Sequence, residues 1–586
     1  MNEPAPEHRR VAAVAPGLAS LLGYRARWLG RDVTAGLVLT ALLVPQGMAY
    51  AELAGLPAIT GLYTSILCLV GYAVFGPSRV LVLGPDSSLG PLIAATILPL
   101  AGADGDPARA IALASALALI TGAVMIIAGL TGLGFVADLI SRPAMIGYLN
   151  GLALTIMVGQ LPKLFGFSVD AEGFFGDVAG FVTGLGSTVP AALAIGALGL
   201  VLIVVLQRYL PKLPAVLVVV VLSIGATALL GLAARGVDVV GPLPQGFPPL
   251  SLPDVRLSDL LLLVPGALGI AVVSLTDTIS TASSFAAREG RTIDGGREMT
   301  AIGAANVGAG LFGGFPVSTS GSRTAVAAQA GARTQLTGLV GAAAITLILL
   351  FVPGLLRDLP QPTLAAVVIA ASLSLTDLPA TRRLFRVRRA EFVLSMTAAL
   401  GVVLLGVLPG MAVTVALSAA NVFRRAWWPY RTVLGRVPGL PGFHDVHSHP
   451  HAERLPGCLL LRFDAPLFFA NARTFREWID ELVHVDPDVR WVVIAAEPVT
   501  DVDTTAVEML RELTAAFERR GRRLVFAELK DPVRRTVERA GLTGAVDATH
   551  LFPTIDAAVA AFRDLTGASW RSPDRAVGPA EDRTDG

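Results

Sequence analysis

Between about Val33 and Asn421 the chain passes through one apolar segment after another, each of spanning or near-spanning length and separated from the next by a short loop. A membrane-crossing helix needs roughly 20 apolar residues. In hydrocarbon only a helix or a closed barrel satisfies its own backbone. The pattern therefore predicts a polytopic α-helical membrane protein of about fourteen spans. The clearest lie near 34–54, 57–75, 110–130, 144–160, 190–206, 213–234, 262–286, 336–353 and 391–407. Two others are abnormally short. One begins after Gly84-Pro85 and runs toward Leu100; the other follows the polar stretch Ser318 to Ser322 and fades by Gly331.

Hydrophobic residues make up 53% of the chain and charged residues only 16%, as a largely lipid-embedded protein requires. Lys plus Arg total 46 against 45 Asp plus Glu, so there is no basic footprint and a nucleic-acid partner is not expected. Cys68 and Cys458 fall in segments that the membrane should separate, and neither a disulfide framework nor a zinc cluster is expected. Residues 1–31 carry His8, Arg9, Arg10, Arg25, Arg27 and Arg31 with no signal-type apolar run, and read as a cytoplasmic tail. At the other end of the 32–425 membrane region, Arg424 and Arg425 precede Trp427, Trp428 and Tyr430, the mark of a cytoplasmic exit with an aromatic belt. Both termini are thus expected on the cytoplasmic side of the inner (plasma) membrane.

A linker is expected over 426–455, then a soluble α/β domain over 456–568 and a disordered tail over 569–586. Within the domain, Gly457 to Phe463, Arg490 to Ala495 and Arg523 to Ala527 read as strands. Ala472 to Val483, Thr504 to Arg519 and Pro532 to Ala540 read as helices. His444, His447, His449 and His451 sit in the linker; Pro450 interrupts them and no cysteine supports them, so solvated linker is preferred over a metal site.

A charge at the centre of a membrane helix costs roughly 2.5–3.5 kcal/mol, so each polar residue there needs a reason. The candidates are Gln46 after Pro45, the run Asp86-Ser87-Ser88, Thr276-Asp277-Thr278 in the eighth helix, and Ser318-Thr319-Ser320-Gly321-Ser322-Arg323 before the tenth. The short third and tenth helices occupy equivalent places in two seven-helix halves, the pattern of an inverted repeat with broken helices. Their N-termini should face one another. Each end presents free N–H groups and about half a positive charge, so the pair forms an anion site. Pro85 suits a first helical turn, Gly321 admits close backbone approach, and Arg323 adds a fixed charge. The competing reading is helix capping by these Ser, Thr and Asp residues, with Gln46 hydrogen-bonding between helices and Glu52 merely interfacial.

The blocks DVTAGLVLTALLVPQGMAYAELAGLPAITGLYTS, FGPSRVLVLGPDSS, GYLNGLALTIMVGQLPKLFG and IDGGREMTAIGAANVGAGLFGGFPVSTSGSRTAVAAQAGARTQ resemble, in order and spacing, the SulP family of anion transporters. This sulfate-permease group includes plant sulfate carriers, pendrin and prestin. The resemblance implies a seven-plus-seven inverted repeat whose core domain moves as an elevator against a dimerising gate domain. It also implies an anion held between the third and tenth helices. On that pattern Gln46 is the first-helix contact and Ser322 with Arg323 the tenth-helix site. Asp86 falls where several animal members carry an aromatic residue. LLLRFDAPLFFANARTFREWI and DVDTTAVEMLREL resemble a STAS domain, the fold shared with anti-sigma-factor antagonists. There a helix-start Ser/Thr is phosphorylated, and Thr505 matches the position; capping by Thr504 or Thr505 is the alternative.

Arg323 contributes +1 while Asp86 and Asp277 contribute −2, so a site with both acids ionised would repel an anion. Proton-coupled uptake is therefore expected, with Asp277 or Asp86 accepting the proton; the rival has Asp277 paired with Arg323 and Asp86 capping. The leading expectation is secondary transport of sulfate, with bicarbonate or a dicarboxylate as alternatives. A membrane sensor signalling through the STAS domain and its cytoplasmic partner is the second class. No Walker A loop, HExxH motif or nucleophile elbow occurs, so neither ATP-driven pumping, a cofactor nor enzyme chemistry is expected.

Overall fold

The computed structural model describes residues 15–102, 106–132, 141–169, 171, 173–210, 213–288, 290, 292–540 and 550–570. His8, Arg9, Arg10 and most of the expected C-terminal tail lie outside the described residues. The chain divides into two units, one ending at Ala419 and one beginning at Ala420.

The first unit is helical. Its apolar helices are α1 (Leu29–Leu53), α2 (Ala58–Phe75), α3 (Gly90–Ala101), α4 (Pro107–Leu130), α5 (Arg142–Phe165), α6 (Pro190–Tyr209), α7 (Ala215–Leu230), α8 (Leu257–Arg288), α9 (Gly295–Leu311), α10 (Gly321–Gln329), α11 (Leu336–Phe351), α12 (Gln361–Leu375), α13 (Arg389–Leu405) and α14 (Val407–Trp427), the last crossing the unit boundary. Among the described residues eight helices are long and apolar enough to cross a membrane.

The packing repeats with an offset of seven. α4 lies on α9 as α11 lies on α2, α4 on α8 as α11 on α1, and α5 on α13 as α12 on α6. α3 touches α8 as α10 touches α1. Just before α3 and α10, the two-residue strands β1 (Leu83–Gly84) and β2 (Ser318–Thr319) pair antiparallel. Equivalent segments that meet head to tail are what an inverted repeat produces. Small residues allow the contacts to be close, as membrane helices require: a Cβ on Gly122 of α4 would stand 2.7 Å from the Gly303 carbonyl of α9, and a Cβ on Gly303 equally near the Gly122 carbonyl.

The second unit carries a six-stranded sheet in the order β4-β3-β5-β6-β7-β8, from β3 (Arg431–Arg436), β4 (Phe443–Asp445), β5 (Cys458–Phe463), β6 (Trp491–Ala495), β7 (Arg523–Ala527) and β8 (Leu551–Phe552). β5 to β8 are parallel, whereas β3 runs antiparallel to β4 and β5. Alternation sends Leu459, Leu461, Phe463, Val492 and Ile494 to a face covered by α15 (Ala472–Val485), α16 (Thr504–Glu518) and α17 (Asp531–Arg539). Cys458, Leu460, Trp491 and Val493 meet α18 (Ile555–Thr566) on the other face. Such doubly covered strands are apolar throughout.

The expected 426–455 linker is corrected: Arg431–Arg436 and Phe443–Asp445 are sheet strands, and α14 continues through Trp427. Sequence offered only short, Gly- and Pro-punctuated runs here; pairing to β5 makes them strands. Asp445 ties the edge together, accepting from Tyr430 Oη, Thr432 Oγ1, the His447 N–H at 2.8 Å and Ser448 Oγ at 2.9 Å. The hydrogen bonds from Thr432 and Tyr430 hold its carboxyl well below the usual carboxylate range. The four linker histidines form no metal-competent group among the described residues.

Candidate functional site

Two chain segments cross at the middle of the first unit and leave the crossing as helices. Leu83 and Gly84 pair with Thr319 and Ser318, and the Ser320 N–H donates to the Val82 carbonyl at 3.2 Å. Thr324 Oγ1 accepts from the Val82 N–H at 3.1 Å. Helices α2, α8 and α9 brace the second segment: Thr64 Oγ1 accepts from the Phe315 N–H at 3.1 Å, Asn306 Oδ1 accepts from the Val317 N–H at 2.9 Å, and Thr319 Oγ1 donates to Thr278 Oγ1 at 3.1 Å. Unpaired backbone groups at membrane depth are costly, so these side chains define the crossing as firmly as the short ladder does.

The third helix begins later than expected. Gly84 belongs to β1, Asp86 to Leu89 form a turn, and the regular helix starts at Gly90 with Pro91 in its first turn. Pro85 is therefore not the helix-start proline; Pro91 is. The tenth starts at Gly321, where Ser320 Oγ accepts from the Arg323 N–H at 3.4 Å and contacts Ser322 Oγ at 3.0 Å.

Arg323 is the largest fully buried side chain among the described residues. It reaches back across the crossing, donating from Nη1 to the Pro85 carbonyl and from Nη2 to Asp86 Oδ2 at 3.5 Å. Its Nε–H is buried without a partner among the described residues. Gly84 makes room for the guanidinium: a Cβ there would lie 3.1 Å from Arg323 Nη1 and 3.1 Å from Leu43 Cδ2. Gly84→Ala should accordingly push the guanidinium aside and cost about 1.5–3 kcal/mol, the worth of a charge-assisted hydrogen bond, read as a lower melting temperature in detergent. Gly321 is different. An added Cβ would be in ordinary contact with Thr281 at 3.6 Å, so close approach is not its reason.

Asp277 does not pair with Arg323. Its described hydrogen bond is to Ser88, whose Oγ lies 3.3 Å from Asp277 Oδ2 and 2.8 Å from Asp86 Oδ1. Ser88 also donates its N–H to Asp86 Oδ1 at 3.0 Å. The expectation that Asp86 caps a helix thus becomes a side-chain-closed turn, with the same carboxylate also facing Arg323.

Beside the crossing lies a cavity of ≈ 1110 Å³. Gln46, Asp86, Ser87, Asp277, Ser320, Gly321, Ser322 and Arg323 all line it, whereas Ser88 is buried behind Asp86 and does not. The Gln46 amide makes no hydrogen bond to the described residues and faces this space, so it is not tied between helices. Thr319 of β2, already part of the polar run before the tenth helix, lines it too, together with Tyr50, Gln207, Ser280, Thr281 and Ser374, which carry no motif-level signal. The cavity reaches the end of the bundle where α1 and α7 begin and α6 and α12 finish, at Thr34, Leu213, Gln207 and Leu375. Beyond Tyr50, Gln361 Nε2 donates to Glu52 Oε1 at 2.8 Å and ties the start of α12 to the end of α1. The Glu52 carboxylate is thus engaged in an interhelical contact.

In the second unit Asp503, not Thr504 or Thr505, caps α16: its Oδ1 accepts from the Ala506 N–H at 2.8 Å and its Oδ2 from the Phe469 N–H at 2.8 Å. Thr505 is exposed.

Residues 29–398 match the sulfate permease family and residues 449–558 match the STAS domain. A probable sulfate transporter of Mycobacterium tuberculosis is 40% identical over 553 residues, 94% of this chain and 98% of the relative. Sulfate transporter 1.3 of Arabidopsis thaliana is 29% identical over 568 residues, 92% of this chain and 85% of that protein. Among solved structures, the murine Slc26a9 anion transporter in an inward-facing state superposes with TM-score 0.87 at 24% identity, covering 96% of both chains. The transmembrane domain of the cyanobacterial bicarbonate transporter BicA gives 0.58 at 22% identity, covering 67% of this chain and 98% of that one.

Proposed function

Because the chain belongs to the sulfate permease family, we propose that it is a secondary transporter of small inorganic anions, with sulfate as the first substrate. The observation that carries this reading is Arg323: a buried guanidinium at the crossing of two chain segments that lead into helices, with an N–H that has no partner among the described residues, beside a cavity with polar lining residues that reaches one end of the bundle. The anion binds between the starts of α3 and α10. Ser320, Ser322, Ser87 and Gln46 supply neutral donors, and the helix ends supply partial positive charge.

Asp86 already engages Arg323, so an arriving anion competes with a fixed carboxylate. Protonation of a neighbouring acid relieves that competition, and the geometry around Ser88 favours Asp277. A hydroxyl has one proton to give. With both carboxylates ionised, Ser88 Oγ can satisfy only one of its two acidic neighbours; a proton on Asp277 lets that carboxyl donate to Ser88 while Ser88 donates to Asp86. Uptake is then symport of anion with proton. Movement follows an elevator pattern, the α1–α12 contact at Glu52 and Gln361 parting as the site changes sides. The protein works as a homodimer at the plasma membrane with both termini cytoplasmic, and its STAS domain meets a cytoplasmic partner, with Thr505 as an exposed point for phosphorylation.

Radiolabelled sulfate, bicarbonate and succinate uptake into proteoliposomes, each across a pH series, tests the reading. Saturable sulfate uptake that rises as the outside is acidified is expected; anion binding without flux would instead make the chain a sensor.

A further inference from the structure

The chain between α12 and α13 forms a short helix, Leu378–Val387, with the sequence LPATRRLFRV. It is a built element rather than a loose turn. Asp377 Oδ1 caps it by accepting from the Ala380 N–H at 2.8 Å, and Asn150 of α5 clamps its start, accepting from the Asp377 N–H at 3.0 Å and donating to Thr381 Oγ1 at 3.0 Å. Ala380 is buried, and Phe385 meets Phe392 of α13 edge-on at 5.1 Å. Helical spacing places Arg382, Arg383 and Arg386 together on the remaining face. All three are exposed, and among the described residues none has an ion-pair partner; Arg388 is taken up by Glu391 at 3.6 Å. With Leu378, Pro379 and Val387 they line a groove of ≈ 380 Å³.

We propose that this groove binds the phosphate headgroup of an anionic membrane phospholipid. Three guanidinium groups share the groove with no carboxylate paired to them among the described residues, which suits a tetrahedral oxyanion with several acceptor oxygens. The same ligand chemistry exists in free sulfate or phosphate, but the flanking side chains choose between the sources. Leu378, Phe385 and Val387 are 66%, 56% and 71% exposed. A free ion has no use for that apolar rim, whereas acyl chains do, and an amphipathic basic helix next to a spanning helix lies in the interface plane. By the positive-inside pattern this face meets the cytoplasmic leaflet, where anionic lipids gather. The helix follows directly on Ser374 and Leu375 of the cavity mouth, so the bound headgroup would sit at the rim of the transport route.

The test uses the full-length protein in neutral detergent, with phosphatidylglycerol, phosphatidylcholine or sodium sulfate added at matched ionic strength and bound lipid read by native mass spectrometry. Wild type is expected to retain phosphatidylglycerol and not phosphatidylcholine, with sulfate failing to displace it. Arg382→Gln/Arg383→Gln/Arg386→Gln should weaken retention on the order of 100-fold, from the loss of three surface cation–headgroup attractions. A charge-matched control, Arg519→Gln/Arg520→Gln/Arg522→Gln, should leave it unchanged. The proposal is overturned if the first variant keeps its lipid, if the control loses it equally, if phosphatidylcholine binds as well, or if sulfate displaces the lipid and so marks a free-ion site.

Discussion

Arg323→Ala is expected to abolish sulfate uptake while leaving the protein assembled in the membrane. The guanidinium supplies the fixed charge at the crossing, and losing two charge-assisted hydrogen bonds of about 1.5–3 kcal/mol each reduces anion binding by about 100-fold or more. The same change leaves Asp86 without its counter-charge and the Pro85 carbonyl without its donor. Breaking a buried pair by deleting one partner costs about 3–5 kcal/mol. Asp86 retains 15% side-chain exposure, so the lower end applies. Thermal stability should fall yet remain measurable. Arg323→Lys separates charge from shape: an ammonium keeps the +1 but cannot reach the Pro85 carbonyl and Asp86 with a planar fork, so partial stability and little transport should return. Sulfate uptake in proteoliposomes, beside the melting temperature in detergent, reads both. Wild-type uptake by Arg323→Ala would remove the guanidinium from the anion site.

Asp277→Asn is expected to flatten the pH dependence of uptake. Under the proposed proton symport, acidification neutralises an acid beside Ser88 and uptake rises as pH falls. Asparagine is fixed in the neutral, donating form that the Ser88 geometry accommodates. The variant should take up anion equally at acid and alkaline pH, exceed wild type at the alkaline end, and lose accumulation against a gradient while keeping anion exchange. Asp86→Asn is the necessary companion. It also loosens the hold on Arg323, so its effect should include a change in half-saturation that Asp277→Asn lacks. Should the pH profile respond to Asp86→Asn alone, the proton acceptor is Asp86; should both variants titrate like wild type, proton coupling through this site fails.

Much of the candidate site was legible because expensive residues are conspicuous in a cheap background. Asp86, Asp277 and Arg323 stand in segments that are otherwise apolar or small, and Ser320 with Gly321 marks the start of a helix too short to cross on its own. What sequence misjudged was local direction. Gly84-Pro85 resembles a helix entry, but Pro91 performs that role, because pairing with Ser318 and Thr319 keeps Leu83 and Gly84 extended. Gly84 in turn clears space for Arg323, a reason that only the arrival of α10 reveals. Arg431–Arg436 differs from expectation for the same cause: its strand identity comes from β5, more than twenty residues on.

By itself the sequence determined the solvent each segment prefers, hence the run of spanning helices, the two interrupted ones, the soluble α/β domain after them and the residue types gathered at the interruptions. These follow from composition and period, which are properties of neighbours along the chain. Only the tertiary structure decided partners. Arg323 chooses Asp86, 237 positions away, over Asp277; Ser88 stands between one carboxylate 2 positions before it and another 189 positions after it; Asn150 holds the arginine-bearing helix from a different span. Such pairings depend on which halves of the repeat pack against each other, and a carboxylate in sequence carries no record of the cation or hydroxyl that folding will bring to it.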